Sequence, residues 1–88
     1  MSMGIYVRAV KIAENEASVT YRWGIHYEAE DGTFTIPKLP PDKIISIISG
    51  SGKAKDFGLD FYSAPVFVKI LRYYEKNGVF PDTMSFEA

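Results

Sequence analysis

Apolar and polar residues alternate strictly over residues 17–27. Ala17, Val19, Tyr21, Trp23, Ile25 and Tyr27 share one phase, and Ser18, Thr20, Arg22, Gly24 and His26 fill the other, with Glu28 continuing it. A repeat of two places successive side chains on opposite faces, so this stretch predicts a strand with one buried face and one wet face. Gly24 in its middle predicts a bulge or a bend. Residues 5–12 predict an earlier strand that is apolar in both phases, Ile5, Val7 and Ala9 against Tyr6, Val10 and Ile12. Such a strand is partly covered on both faces or lies near the sheet centre. Glu14-Asn15-Glu16 forms the turn between the two.

Asp31-Gly32 reads as a two-residue hairpin loop. With that loop, Ala29 faces Phe34, Tyr27 faces Ile36, Glu30 faces Thr33 and Glu28 faces Thr35, so apolar meets apolar and polar meets polar. Pro37, Pro40 and Pro41 then end the sheet pattern. Ile44, Ile45, Ile47 and Ile48 are β-branched and favour a buried strand. Asp42 as an N-cap would suit two turns of helix there instead, and strand is the preferred reading. Residues 50–52 form a flexible loop, and residues 53–62 are irregular or a short edge element.

Residues 64–77 predict a helix. Ser63 is its N-cap, and Pro65 sits in the first turn, where a missing N–H costs nothing. Phe67, Ile70, Leu71 and Tyr74 form its apolar stripe, broadened by Val66 and Tyr73. Lys69, Arg72, Glu75 and Lys76 are its wet face, with Lys76 at the negative end. Gly78 supplies a left-handed C-cap and Val79 its apolar contact. Pro81 stops the helix, and residues 80–88 fold back onto the body through Phe80 and Phe86. Strands followed by a helix define an α+β fold. The expected architecture is one domain spanning residues 1–88, an N-terminal antiparallel sheet of three to four strands packed against one long C-terminal helix.

Composition narrows the function. The chain has 88 residues, enough for one domain and too few for a nucleotide-binding domain plus a substrate domain. Aromatics reach 15%, so large side chains can fill a small core. The net charge of −1, with no basic stripe, argues against nucleic acid, whose binders draw affinity from neutralised phosphates. With no cysteine there is no disulfide, thiolate metal site or thiol catalysis. Residues 1–4 lead directly into strand-like sequence without a secretory leader, and no apolar run approaches the roughly 20 residues of a membrane span. A cytoplasmic protein with no membrane partner is expected.

The motifs add little chemistry. Gly50-Ser51-Gly52-Lys53 lacks the Walker glycine, which would fall at Ile47, and the following Ser or Thr, which is Ala54. Asp56-Phe57-Gly58 copies a kinase tripeptide without the kinase domain around it. His26 is the single histidine, too few for a histidine metal site, and no nucleophile accompanies it. Glu28, Glu30 and Asp31 read as a solvated acidic turn rather than a cation site. Tyr21, Trp23 and Tyr27 read as core rather than as a base-stacking platform.

No cofactor and no catalytic residue is assigned. The preferred reading is a protein-interaction module, such as an inhibitor, an immunity- or antitoxin-like partner, or an accessory subunit. Its candidate contacts are Arg22, His26, Glu28, Phe57, Phe61 and Tyr62, since Tyr, Trp and Arg anchor protein interfaces. A homodimer, through an exposed strand edge or an apolar patch, is a further expectation. The alternative is a small-molecule-binding protein or minor enzyme with a pocket between the sheet and residues 50–62, using His26 and a nearby carboxylate.

Overall fold

A computed structural model describes residues 6–25, 31–49 and 58–87. The elements run β1 (Tyr6–Glu14), β2 (Ser18–Gly24), β3 (Gly32–Pro37), α1 (Pro41–Ser49), α2 (Ser63–Asn77) and β4 (Thr83–Glu87). The four strands form one antiparallel sheet in the order β3-β2-β1-β4. The fold is α+β, as the order of strands and helix implies. The central position of β1 accounts for its two apolar phases: Val7 and Ala9 are buried, and Tyr6 and Val10 are half-covered on the other face.

Alternation decides which face carries the core. Val19, Tyr21 and Trp23 of β2 and Phe34 and Ile36 of β3 are buried, and they pack with Val66, Phe67, Ile70 and Leu71 of α2. Ala9 sits opposite Trp23 on one side and Met84 on the other, so the smallest inward side chain lies beneath the largest. Phe34 joins Tyr21 (ring centroids 5.7 Å apart) to Phe67 (5.5 Å, edge-on). The buried Tyr21 hydroxyl donates to the Pro81 carbonyl at 2.5 Å, tying β2 to the segment that leads into β4. The hydrogen bond satisfies a group that would otherwise be costly to bury.

Several expectations are corrected. The hairpin partners are Tyr21 with Phe34, Val19 with Ile36 and Thr20 with Thr35, not residues 27–30. β2 ends at Gly24, and Asp31 closes the loop by donating its N–H to the Trp23 carbonyl (2.9 Å) and accepting the Ile25 N–H on its carboxylate (2.8 Å). Gly32 is needed where it stands, because a Cβ there would lie 2.9 Å from the Trp23 indole nitrogen. Gly24 is followed by a bend at Ile25, while the register shift lies in β1 between Lys11 and Ala13.

Residues 44–48 are helical, not extended. Pro41 opens α1, where its fixed φ suits a helix start, and the Pro40 carbonyl accepts the N–H groups of Lys43 and Ile44. Ile44 and Ile48, one turn apart, turn toward the core while Ile45 and Ile47 face water. Tertiary packing and the proline start outweigh the β-preference of isoleucine.

Ser63 lies inside the first turn of α2 and is buried. The capping is done by Asp60, whose carboxylate accepts the N–H groups of Tyr62 (2.8 Å) and Ser63 (2.9 Å), while Ser63 Oγ accepts the Asp60 N–H (2.8 Å). The reciprocal pair satisfies donors that a helix start leaves open. At the other end Gly78 adopts φ +75° and returns its N–H to the Tyr74 carbonyl, as expected. Val79 is 59% exposed and makes no staple, and Tyr73 is 39% exposed rather than part of the stripe. The apolar contact comes from Phe80, stacked on Tyr74 at 4.1 Å. Part of the C-terminal segment is a true strand, β4.

Candidate functional site: the β4 edge and its groove

The sheet has two edges, and they differ. At β3 the chain passes so close that a Cβ on Gly58 would lie 2.3 Å from the Thr33 carbonyl oxygen. Gly58 also has φ +78°, so glycine answers both demands, and its backbone lies against that edge at Thr33. At β4 the Lys11 N–H donates to the Asp82 carbonyl (2.8 Å) and sets the phase of the ladder. Antiparallel pairs alternate between hydrogen-bonded and non-bonded. Met84 and Phe86 therefore bond to β1, and Thr83, Ser85 and Glu87 turn their main-chain groups outward. One outward carbonyl, that of Ser85, is held by the Lys69 ammonium at 2.8 Å.

Beside this edge runs a groove of about 440 Å³ lined by Pro65, Val68, Lys69, Arg72, Phe86 and Glu87. Its floor is apolar and its rim on α2 carries two cations. A second groove of about 350 Å³ lies between α1 and α2 and shares Val68 and Arg72 with the first. Lys69 and Arg72 stand one turn apart on the same helix face. Neither meets a carboxylate among the described residues.

The far end of the sheet is charged differently. Lys11 and Lys38 flank Glu14 at 2.7 and 2.8 Å, and Lys11 also reaches Asp82 at 3.2 Å. The hydrogen bonds from Lys11 and Lys38 lower the Glu14 carboxyl to about 2, and the bond to Glu14 raises the Lys11 ammonium. Burial pushes the Tyr21 phenol well up, with Glu14 and Asp82 adding to it. These charges neutralise one another, which suits an ion-paired clasp rather than a site for a further ion. Among the described residues no three His, Cys, Asp or Glu side chains gather to hold a metal.

The residues expected from sequence are scattered. Arg22 is exposed on the face of the sheet away from the helices, near the Thr20–Thr35 hydroxyl pair (3.0 Å). Phe61 and Tyr62, 72% and 42% exposed, meet edge-on at 5.4 Å in the turn leading into α2. No hydrogen bond, ion pair or ring contact joins Arg22 to that pair among the described residues. His26, Glu28 and Phe57 lie outside the described residues, as do residues 50–57 of the alternative pocket. Sequence reasoning missed Lys69, Arg72, Ser85 and Phe86 as a group. A signal was present: residues 83–87 alternate, with Met84 and Phe86 in one phase, beginning two residues after Pro81.

No protein family, curated protein or solved structure matches this chain. Among the described residues, no helix is long and apolar enough to cross a membrane.

Proposed function

We propose that this chain is a protein-interaction module that takes an extended segment of another protein alongside β4. The observation that carries the reading is the open β4 edge lying next to a groove against α2, while at the opposite edge Gly58 lies against the Thr33 carbonyl. Strand addition uses main-chain hydrogen bonds for affinity and alternate side-chain pockets for specificity. Thr83, Ser85 and Glu87 supply the main-chain groups, and Val68 and Phe86 line the place where an inward side chain would rest. The small size, near-balanced charge and high aromatic content agree with a binding role.

Selection of extended peptides from a displayed library, followed by backbone amide shifts, tests the reading. Selected peptides are expected to move the amides of Thr83, Ser85 and Glu87 together with Val68 and Arg72. Binders that move only Arg22, or only Phe61 and Tyr62, overturn it. A dimer in sedimentation with the β4 amides protected would replace the foreign segment by a second copy of this chain.

A further inference from the structure

We infer that the segment seated on β4 carries a carboxylate, and that this carboxylate is held between Lys69 and Arg72 once Lys69 leaves the Ser85 carbonyl. The inference rests on the docking reading above and names what that edge selects. Lys69 and Arg72 are exposed, one turn apart, and line the same groove over an apolar floor. The hydrogen-bond partner of Lys69 is a neutral carbonyl, and Arg72 has no hydrogen-bond or ion-pair partner among the described residues. Glu87 lines the groove but pairs with neither. Asp42 and Glu75 line the neighbouring groove with Arg72, yet neither pairs with it. Two adjacent cations outside any ion pair, beside low-dielectric walls, attract an anion. The planar guanidinium of arginine suits a carboxylate in particular, because it can donate two parallel hydrogen bonds.

Lys69 makes the edge selective as well as attractive. A lysine from a neighbouring helix that reaches an edge carbonyl acts as an edge charge does and deters indiscriminate pairing. An added strand needs the Ser85 carbonyl for its own N–H, so it competes with the ammonium for that acceptor. A segment with a carboxylate in reach gives that ammonium a better partner. A neutral segment gives it nothing, and its binding is weakened by the loss.

The test uses heptapeptides of alternating threonine and valine, blocked at both ends, with a central glutamate in one and glutamine in the other. Fluorescence anisotropy at low salt measures both against the intact chain. The glutamate peptide is expected to bind about tenfold tighter, the discrimination of roughly one charge-assisted contact. Arg72→Gln should remove most of that difference. Lys69→Met should weaken the glutamate peptide and strengthen the glutamine peptide, a reversal that general destabilisation would not produce. Both positions are exposed, and an unchanged thermal melt confirms the fold. A glutamine peptide with a free C-terminus that binds like the glutamate peptide assigns the pocket to a terminal carboxylate. Equal binding by the two blocked peptides, with amide shifts at β4, overturns this inference and leaves the docking reading standing. Binding by neither overturns both.

Discussion

β3 and β4 are the two edges of one sheet, and they are finished by opposite means. β3 is met by backbone at one point: Gly58 lies against Thr33 so closely that no side chain fits. β4 is guarded by one flexible side chain, Lys69, on one carbonyl. A backbone contact is removed only by moving a chain segment. An ammonium on a four-carbon stem can leave and return within the time of a rotamer change. The same problem, an unsatisfied ladder edge, is thus met by backbone on one side and by a reversible side-chain contact on the other.

Substitutions can break this contrast, and the largest effects belong to β3. Phe34 of β3 is 1% exposed and Phe86 of β4 is half-buried. Phe34→Ala should cost about 3–5 kcal/mol, and Phe86→Ala about 1–2 kcal/mol, measured by urea unfolding. Comparable losses would mean that β4 is as deeply built into the core as β3.

The glycines sharpen the point next. Gly58 and Gly78 have nearly the same φ, +78° and +75°, but a Cβ at Gly78 meets nothing within 4 Å. Gly78→Ala should therefore cost only the left-handed penalty, about 1–2 kcal/mol. Gly58→Ala adds a backbone collision and should cost about 3 kcal/mol or more, with faster amide exchange along β3. Equal costs would remove the idea of a tight backbone contact.

Lys69→Met should change stability by less than about 0.5 kcal/mol, as for most exposed positions. Its effect should appear instead as concentration-dependent self-association in sedimentation, because the edge has lost its guard. A strictly monomeric variant at high concentration would show that Lys69 does not protect β4.

The smallest effect is shared by the whole sheet end. Glu14 titrates near 2 in the folded chain against a usual 4.5. A depressed carboxyl stabilises the fold above its unfolded pKa, so this contribution is complete above about pH 4.5 and fades as pH falls toward 2. Glu14→Gln should flatten the acid limb of the stability curve. An unchanged limb would place the acid sensitivity elsewhere.

Much of the fold was legible in particular residues. The alternation of β2, the Gly78 cap and the stripe on α2 are local patterns, and local chemistry decides them. The hairpin register was not legible, for a definable reason. Matching apolar with apolar tests the phase of a two-residue repeat, and any even shift passes that test. Pairing Phe34 with Ala29 or with Tyr21 satisfies it equally. The isoleucines of α1 misled because their propensity is intrinsic, while the helix depends on Pro41 and on Ile44 reaching the core. The candidate site was least legible of all. Lys69 and Arg72 read as an ordinary wet helix face until β4, five residues long, is known to lie beside them.

The order of the strands also has a consequence for synthesis. β1 takes β2 on one side within a few residues, but on the other side it waits for β4, as in the pairing of Val7 with Phe86. At 5–20 residues per second, that partner emerges roughly 4–16 seconds later. During that interval β1, central in the finished sheet, is itself a bare edge carrying Val7 and Ala9. The nascent chain is thus most adhesive just before β4 emerges, and a ribosome stalled ahead of Thr83 would present a three-stranded sheet able to capture the β4 of a folded neighbour.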